Sequence, residues 1–412
     1  MSHDILNVVY KIFIIVQVFI GFFLILPFLE NIISIFIIRK LPGRNADSET
    51  DFACVITGYR ETGIIVPLID SLLKQKYSNF LIYVIADNCS DEEIAKINIT
   101  HERLRVLIPE PALNSKVKAI KYAIKSFERN HKFTIIFDPD NLAHPEFLSV
   151  INSYVHKGYK AIQGRRTAKN LDTVHSCLDA LGEIYYNKIV RENLYLLGSS
   201  AVIAGSGMAI ETDLYSEILN SGGLSDDNKV IVAEDKILQY EIVNKGYVIA
   251  FAGNAIVFDE KVSTGAQVER QKTRWLNSYF KYLKLGYTLI FKGLIRFDFN
   301  QFLFGLNVAI PPLIVVNGLS FLFFLTAFAY NMNIAIIWFI LIFLFGINLL
   351  IIMIQVKAEK EIWKSLFGLP VFIMNQVFAI LKLKKSNKDF LVTEKTQYIY
   401  IEEVLKKFPK WN

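Results

Sequence analysis

At 412 residues the chain is long enough for a large domain and something besides. It is 53% hydrophobic with a mean hydropathy of +0.35, high for a soluble protein, and the apolar excess lies at the two ends. The net charge of +6 is carried by basic residues beside the apolar segments, without a polybasic stripe or interleaved aromatics, which excludes a nucleic-acid groove and fits a membrane surface.

Ile12–Leu29 carries no charge, and the apolar run continues past Glu30 to Ile38. About 20 apolar residues span a bilayer. A signal peptide would have a shorter apolar core and a small-residue cleavage site, and neither is present. Arg39, Lys40 and Arg44 follow at once and place this flank in the cytoplasm.

From Asp51 strands alternate with helices. Phe52–Thr57 reads as a strand, and Gly63–Gln75 repeats its apolar residues at helical spacing. Leu81–Asn88 and Leu104–Pro109 are the next strands, and Lys116–Phe127 is helical. Phe133–Phe137 is an uncharged β-branched and aromatic run that Pro139 must end. His144–His156 is helical and Lys160–Arg165 a strand. This alternation predicts crossover units and a mostly parallel sheet. Val174–Leu197 reads as one long helix, Ser199–Ile210 as an extended small-residue stretch, and Ser221–Asn228 as a polar loop. Glu234–Asn244 is a helix opened by acids, Tyr247–Phe258 one or two strands, and Val268–Trp275 helical.

After Trp275 the chain returns to lipid. Lys281, Lys284, Lys292 and Arg296 fall near one face of Tyr279–Phe299, which predicts an amphipathic helix in the interface. Phe302–Tyr330 and Asn333–Ile354 are uncharged, and Leu366–Leu381 is shorter and holds Pro370, Asn375 and Gln376. Lysines 357, 360 and 364 precede this short segment, and lysines 382, 384 and 385 follow it. If both clusters are cytoplasmic the short segment cannot cross, which predicts three spans and a cytoplasmic tail. Cys54, Cys89 and Cys177 have no metal-type spacing and read as reduced thiols; the six histidines show no ligand spacing either.

Polar groups recur where the strands end: Thr57–Glu61, Ala86–Asp91 and Asp138–Asn141, with Lys116 and Lys118 opening a helix after the third strand. Strand ends of one parallel sheet converge on one edge, where ligands bind. Asp138-Pro139-Asp140-Asn141 reads either as a turn or as a site where two hard oxygen ligands hold Mg²⁺ or Mn²⁺ together with substrate phosphates. Carboxylates, a divalent ion and lysines in one cleft suit a nucleotide diphosphate. Arg165 and Arg166 read either as a solvated pair or as groups facing a polymer path.

TGYRE, ADNCSD, NSKVKAI, FDPDN, GSGMAI, AED and QKTRW stand in the order and approximate spacing seen in family 2 glycosyltransferases. The set resembles the membrane-embedded processive type that includes cellulose, chitin and hyaluronan synthases, over about Phe52–Trp275. The resemblance implies a nucleotide-sugar-binding α/β domain of GT-A type, flanked by N- and C-terminal transmembrane helices. Asp87 would contact the uridine part of the donor, with Tyr59 and Glu61 lining the same pocket. Lys116 would lie near the base or diphosphate, Asp138 and Asp140 would hold the metal, and Arg274 would reach the diphosphate. Gly205, Ser206, Gly207 and Glu234 would border the acceptor sugar, Trp275 would stack on it, and Gln271 would hydrogen-bond near donor or acceptor. Asp235 would be the general base. Ala233, Arg60 and Ser115 stand where relatives often carry Thr, Asn and Gly, which loosens any transfer of sugar specificity.

The implied layout is a membrane helix and basic flank over 1–44, a cytoplasmic catalytic domain over 45–278, an interfacial helix over 279–300, membrane and interfacial helices over 301–385 and a cytoplasmic tail over 386–412. In that tail Phe390–Thr393 resembles the segment that lies near the catalytic mouth of such synthases. The expected activity is metal-dependent, inverting transfer from a UDP-sugar, by family base rate UDP-N-acetylglucosamine, to a β-linked polysaccharide at the cell membrane. Glucose and glucuronate donors stay open, as do transfer of one sugar to a lipid carrier or lipid-linked saccharide and an inactive scaffold or transporter.

Overall fold

The computed structural model describes residues 3–37, 48–226, 231–381 and 397–411. The chain opens with helix α1 (His3–Ile35). Strand β1 (Phe52–Tyr59), helix α2 (Val66–Leu73), β2 (Phe80–Asp87), the short α3 (Asp91–Ala95), β3 (Leu104–Leu107) and α4 (Lys116–Lys125) follow. Then come β4 (Phe133–Phe137), the two-residue β5 (Leu142–Ala143), α5 (Phe147–Val155) and β6 (Ala161–Ala168). β2 and β4 are buried along their whole length, which is why they read as continuous apolar runs.

Helix α6 (Val174–Tyr186) continues through a π-helical stretch, Asn187–Asn193, into the single turn α7 (Leu194–Leu196). Strand β7 (Met208–Glu211), α8 (Thr212–Leu219), α9 (Glu234–Asn244) and β8 (Ile249–Asp259) complete the α/β part. The eight strands lie in the order β3-β2-β1-β4-β7-β6-β8-β5. The first four are parallel, with Tyr59 opposite Asp87 and Ile56 opposite Phe137, so their carboxyl ends share one edge.

The sheet is mixed: six strands run the same way, as expected, and two run against them. β7 runs antiparallel between β4 and β6, and β5 runs antiparallel to β8, while β6 and β8 are parallel. The reversal lies in Ser199–Ile210. Only Met208–Glu211 of that stretch is strand, and it enters the sheet after Gly205 and Gly207, both at positive φ (82° and 61°).

Helix α10 (Gly265–Arg296) is opened by a Thr264–Gln267 capping box and runs unbroken for 32 residues, so the stretch expected at the interface continues the helix that carries QKTRW. Lys292 donates to Asn244 Oδ1 (2.7 Å) and thus faces the α/β part, whereas Phe291, Ile295 and Phe297 stand exposed. Helices α11 (Phe299–Val308), α12 (Leu313–Tyr330), α13 (Met332–Gln355), α14 (Lys360–Ser365), α15 (Leu369–Leu381) and α16 (Ile401–Lys407) finish the chain.

Among the described residues three helical stretches are long and apolar enough to cross a membrane: Asn7–Ile35, Leu313–Tyr330 and Met332–Gln355. That equals the expected number, and α15 is described over 13 residues, up to the last described residue of its stretch. Arg39, Lys40, Arg44, lysines 382, 384 and 385, and Phe390–Thr393 lie outside the described residues. α1 is fastened to α13 and to the α/β part by polar groups. Asn31 donates to Asn348 (2.8 Å) and accepts from Asn193 of the π-helical stretch (3.3 Å), while Ser34 donates to Asn193 (2.9 Å).

α11 folds back on α10 with little room between their backbones. A Cβ on Gly305 would come within 2.7 Å of Ile290 N and 2.8 Å of Gly286 O, and backbone atoms cannot swing away. Gly→Ala inside a helix ordinarily gains about 0.5–1 kcal/mol. Here the overlap should outweigh that gain at about 1–3 kcal/mol. Gly305→Ala is expected to lower the thermal unfolding temperature in detergent, whereas Gly318→Ala, where the added atom meets nothing within 4 Å, should not.

Candidate active site

Three loops meet at the carboxyl edge of the parallel strands. The first is tied together by Asp87, the last residue of β2. It is 3% exposed, and its two carboxylate oxygens accept the backbone N–H groups of Leu113 and Asn114, each at 2.7 Å. Asn114 sits at positive φ (50°), and its side-chain oxygen accepts from Tyr59 Oη (3.0 Å) and Asn88 Nδ2 (3.2 Å). Arg60 lies over the Tyr59 ring at 5.0 Å, and Glu61 is exposed beside it. The Asp87 carboxylate thus faces the backbone of the loop ahead of Lys116.

Lys116 is the junction of the site. Ser115 caps α4 by accepting the Lys118 N–H, which fixes Lys116 in the first turn of that helix. Its Nζ donates to Asp138 Oδ1 (2.8 Å) and Gly205 O (3.1 Å) and pairs with Glu234 Oε1 (3.4 Å). One ammonium thus joins the FDPDN turn, the GSG turn and the AED helix start. Burial opposes its charge, but the Asp138 and Glu234 carboxylates outweigh that and hold its pKa above the ordinary lysine value.

Asp138-Pro139-Asp140-Asn141 forms a turn. Asn141 closes the turn, its side chain accepting the Asp138 N–H (3.0 Å) and its own N–H donating to Asp138 O (3.0 Å). Asp140 is buried, and its Oδ2 accepts the Glu260 N–H (3.2 Å). Buried Lys169 donates to the Asp140 backbone carbonyl (3.0 Å).

Glu234 and Asp235 open α9, where the helix dipole favours negative charge. Ala233 before them is left-handed (φ 61°, ψ 52°), a conformation a residue with a Cβ holds only when its surroundings impose it. Burial raises the Glu234 pKa and neighbouring Asp235 adds to this, while Lys116 counters it. Gly205 neighbours Asp235: an added Cβ would lie 3.9 Å from the Asp235 Cβ, in ordinary van der Waals contact. Ser206 and Gly207 complete this turn. Ser206 is fully buried with its hydroxyl unpartnered, and a side chain on Gly207 would press on Val257 at 3.0 Å.

The QKTRW residues lie on α10, which is tied to the AED loop by a Tyr282 hydroxyl donating to Val232 O (3.0 Å). Gln271 has a buried, unpartnered Oε1. Arg274 has no ion-pair partner among the described residues. Trp275 is 39% exposed, with Lys272 4.0 Å above its ring; Lys272 also pairs with buried Asp179 (3.1 Å). The structure thus gathers Lys116, Asp138, Glu234, Asp235 and Gly205 into one cluster and joins Tyr59 and Asp87 to it through Asn114. Among the described residues Gln271, Arg274 and Trp275 make no hydrogen bond to that cluster.

Arg165 and Arg166 are partly buried and each is held by hydrogen bonds and an ion pair. Arg165 bonds Gly253 O (2.8 Å) and Glu192 (3.0 Å). Arg166 pairs with buried Asp259 and donates to Ala204 O (2.9 Å) beside the GSG turn. Lys169, Glu260, Asn114 and Tyr215 are contributors that sequence reasoning missed. Tyr215 is buried with an unpartnered hydroxyl on α8, which packs against both α4 and α9. The partners of Lys169, Asn114 and Arg166 are distant in sequence and left no local signal.

No group of three or more His, Cys, Asp and Glu arranged to hold a metal exists among the described residues. Asp138 and Asp140 do fit a Mg²⁺ or Mn²⁺ ion of the kind that takes one or two carboxylates and completes its shell with phosphate oxygens and waters. Asp138 keeps acceptor capacity beyond its Lys116 bond, and Asp140 presents its carboxylate beside it, with Oδ1 accepting from Asn141 Nδ2 (3.4 Å).

Residues 50–278 match a family model described as glycosyltransferase like family 2. A Bacillus subtilis (strain 168) protein described as probable glycosyltransferase YdaM is 26% identical over 341 residues, covering 78% of this chain and 77% of that protein. The solved mannosyltransferase PcManGT from Pyrobaculum calidifontis, in complex with GDP-Man and Mn²⁺, covers 91% of this chain and 98% of its own at a TM-score of 0.57 and 13% identity. The two share a fold.

Proposed function

The chain belongs to the glycosyltransferase-like family 2, and on that premise we propose that it is an inverting transferase carrying a sugar from a UDP-sugar to a β-linked saccharide at a membrane. The observation that carries this reading is the single ammonium of Lys116 bridging Asp138, Glu234 and the Gly205 carbonyl beside Asp235. A site that moves a glycosyl group must neutralise a departing diphosphate next to a base aimed at the acceptor. Lys116 and Asp235 are the residues proposed for these two parts.

In the proposed reaction Tyr59, Glu61 and the Asp87-shaped loop seat the uridine. Lys116 and Arg274 face the diphosphate. A divalent ion held by Asp138 and Asp140 would add positive charge there when bound. Asp235 takes the proton of the acceptor hydroxyl as its oxygen forms the bond to the anomeric carbon, while the carbon–phosphate oxygen bond breaks and the electron pair leaves with UDP. One displacement inverts the centre, so an α-linked donor yields a β-linkage. Gly205–Gly207 let the sugar approach the backbone, Glu234 and Gln271 orient it, and Trp275 offers an aromatic face. UDP-N-acetylglucosamine is the proposed donor and a growing polysaccharide the proposed acceptor, with the catalytic part on the cytoplasmic side.

A second reading, transfer of one sugar to a lipid carrier or lipid-linked saccharide, is favoured by one observation: three candidate spans are few for a polymer channel. Purified protein is incubated with single UDP-sugars and Mn²⁺ or Mg²⁺, and released UDP is measured. Release with one donor, and a product that lengthens with time, is expected. A single-sugar, organic-extractable product selects the lipid reading, and no release with any nucleotide sugar defeats both.

A further inference from the structure

The chain beyond α15 comes back to the catalytic part beside one of the candidate metal ligands. Glu260 is 6% exposed and is bonded in two directions. Its backbone N–H donates to Asp140 Oδ2 (3.2 Å), and its carboxylate Oε2 accepts the backbone N–H of Gln397 (3.0 Å). We infer that the segment Gln397–Trp411 is a positioning element for Asp140, acting through Glu260; this rests on the reading of Asp138 and Asp140 as the metal site.

The segment has the anchorage such a role needs. Ile401, Val404 and Phe408 are buried in one core with Leu142 and Phe258. Leu142 lies two residues after Asp140 and pairs with Phe258, two residues before Glu260. The tail residues therefore underpin both sides of the Asp140–Glu260 hydrogen bond. At the far end His144 Nε2 donates to the Trp411 carbonyl (2.8 Å), since its Nδ1 accepts the Glu146 N–H (3.1 Å). Lys410 pairs with Glu359 (2.8 Å), and Lys74 pairs with Glu402. Exposed pairs like these contribute little alone, so the buried apolar side chains hold the segment and the hydrogen bonds set its register. A carboxylate that must meet a metal is oriented by its own hydrogen-bond partner, and losing such a partner costs metal affinity about 10–100-fold.

The test is Mn²⁺ titration of the full-length protein in detergent, read by loss of the free-ion EPR signal. Glu260→Ala keeps the backbone N–H but removes the acceptor for Gln397. Gln397→Pro removes the donor and leaves Glu260 untouched. Both are expected to weaken Mn²⁺ binding about tenfold. Glu260→Gln keeps a carbonyl acceptor and should bind like the unaltered protein. Unchanged affinity in Glu260→Ala and Gln397→Pro, with the circular dichroism spectrum intact, would overturn the inference. So would a loss in Glu260→Gln as large as in Glu260→Ala, because the charge at 260 would then matter and the tail would not. Should Glu260→Ala fail to fold, Gln397→Pro decides alone. If the unaltered protein takes up no Mn²⁺, the metal reading fails and the inference falls with it, a result distinct from variants that match a binding parent.

Discussion

Asp235→Asn is expected to lower kcat by about 10²–10⁴, the usual contribution of a positioned general base. Asparagine keeps the shape at the start of α9 and can still hydrogen-bond, but it cannot accept the proton that the acceptor hydroxyl must lose. The donor is held by other groups, so its KM should change little, and the loss should appear in the rate of bond formation. Single-turnover transfer with excess enzyme separates these quantities. Glu234→Gln is the informative neighbour. Glu234 already has a raised pKa, from burial first and Asp235 second. Removing its charge should relieve Asp235 of a like charge and weaken the hold on Lys116, so its effect should fall on donor binding as well as on rate. Were Asp235→Asn to retain full activity while Glu234→Gln lost it, the base would be Glu234.

The sheet edge was legible because each strand announced itself by local composition. FACVIT, LIYVIADN and FTIIFDPD are apolar runs closed by turn residues, and parallel pairing then brings their polar ends together. β7 was not legible, since four residues in a small-residue stretch do not reveal the direction in which they will pair. The same limit hid the partners of Asp87. Its position at a strand end was predicted, but the backbone donors of Leu113 and Asn114 that occupy it come from a loop 26 and 27 residues away. Arg165 and Arg166 show the converse. Their charge suggested solvent or substrate, and only the folded chain brings Glu192, Asp259 and two carbonyls to meet them. Local pattern thus located the ends of the strands, while long-range pairing decided what each side chain there does.

Lys116→Met is the second large effect, expected at about 10²–10³ in kcat, as when one preorganised electrostatic donor is removed. The argument begins with what Lys116 offsets. Asp138 and Glu234 both direct oxygens at its Nζ, at 2.8 and 3.4 Å, so taking the ammonium away leaves two partly buried carboxylates facing each other. The sign of the pH effect follows. Lys116 itself has a raised pKa, so its stabilising pairings are complete below the unfolded value and are lost only as pH rises through the higher folded one. It stays charged throughout the neutral range and contributes no acid limb to activity. Glu234, however, is kept from rising further by Lys116. In Lys116→Met its pKa should climb, and the remaining activity should fall off on the acid side at a higher pH than in the unaltered protein. Lys116→Arg keeps a charge but spreads it over a planar fork too wide for a point contact with Gly205 O, so it should recover the pH profile more fully than the rate. A pH–rate profile of the three proteins at saturating donor checks both halves. An acid limb that stays in place in Lys116→Met would show that Glu234 does not need its charge for the reaction.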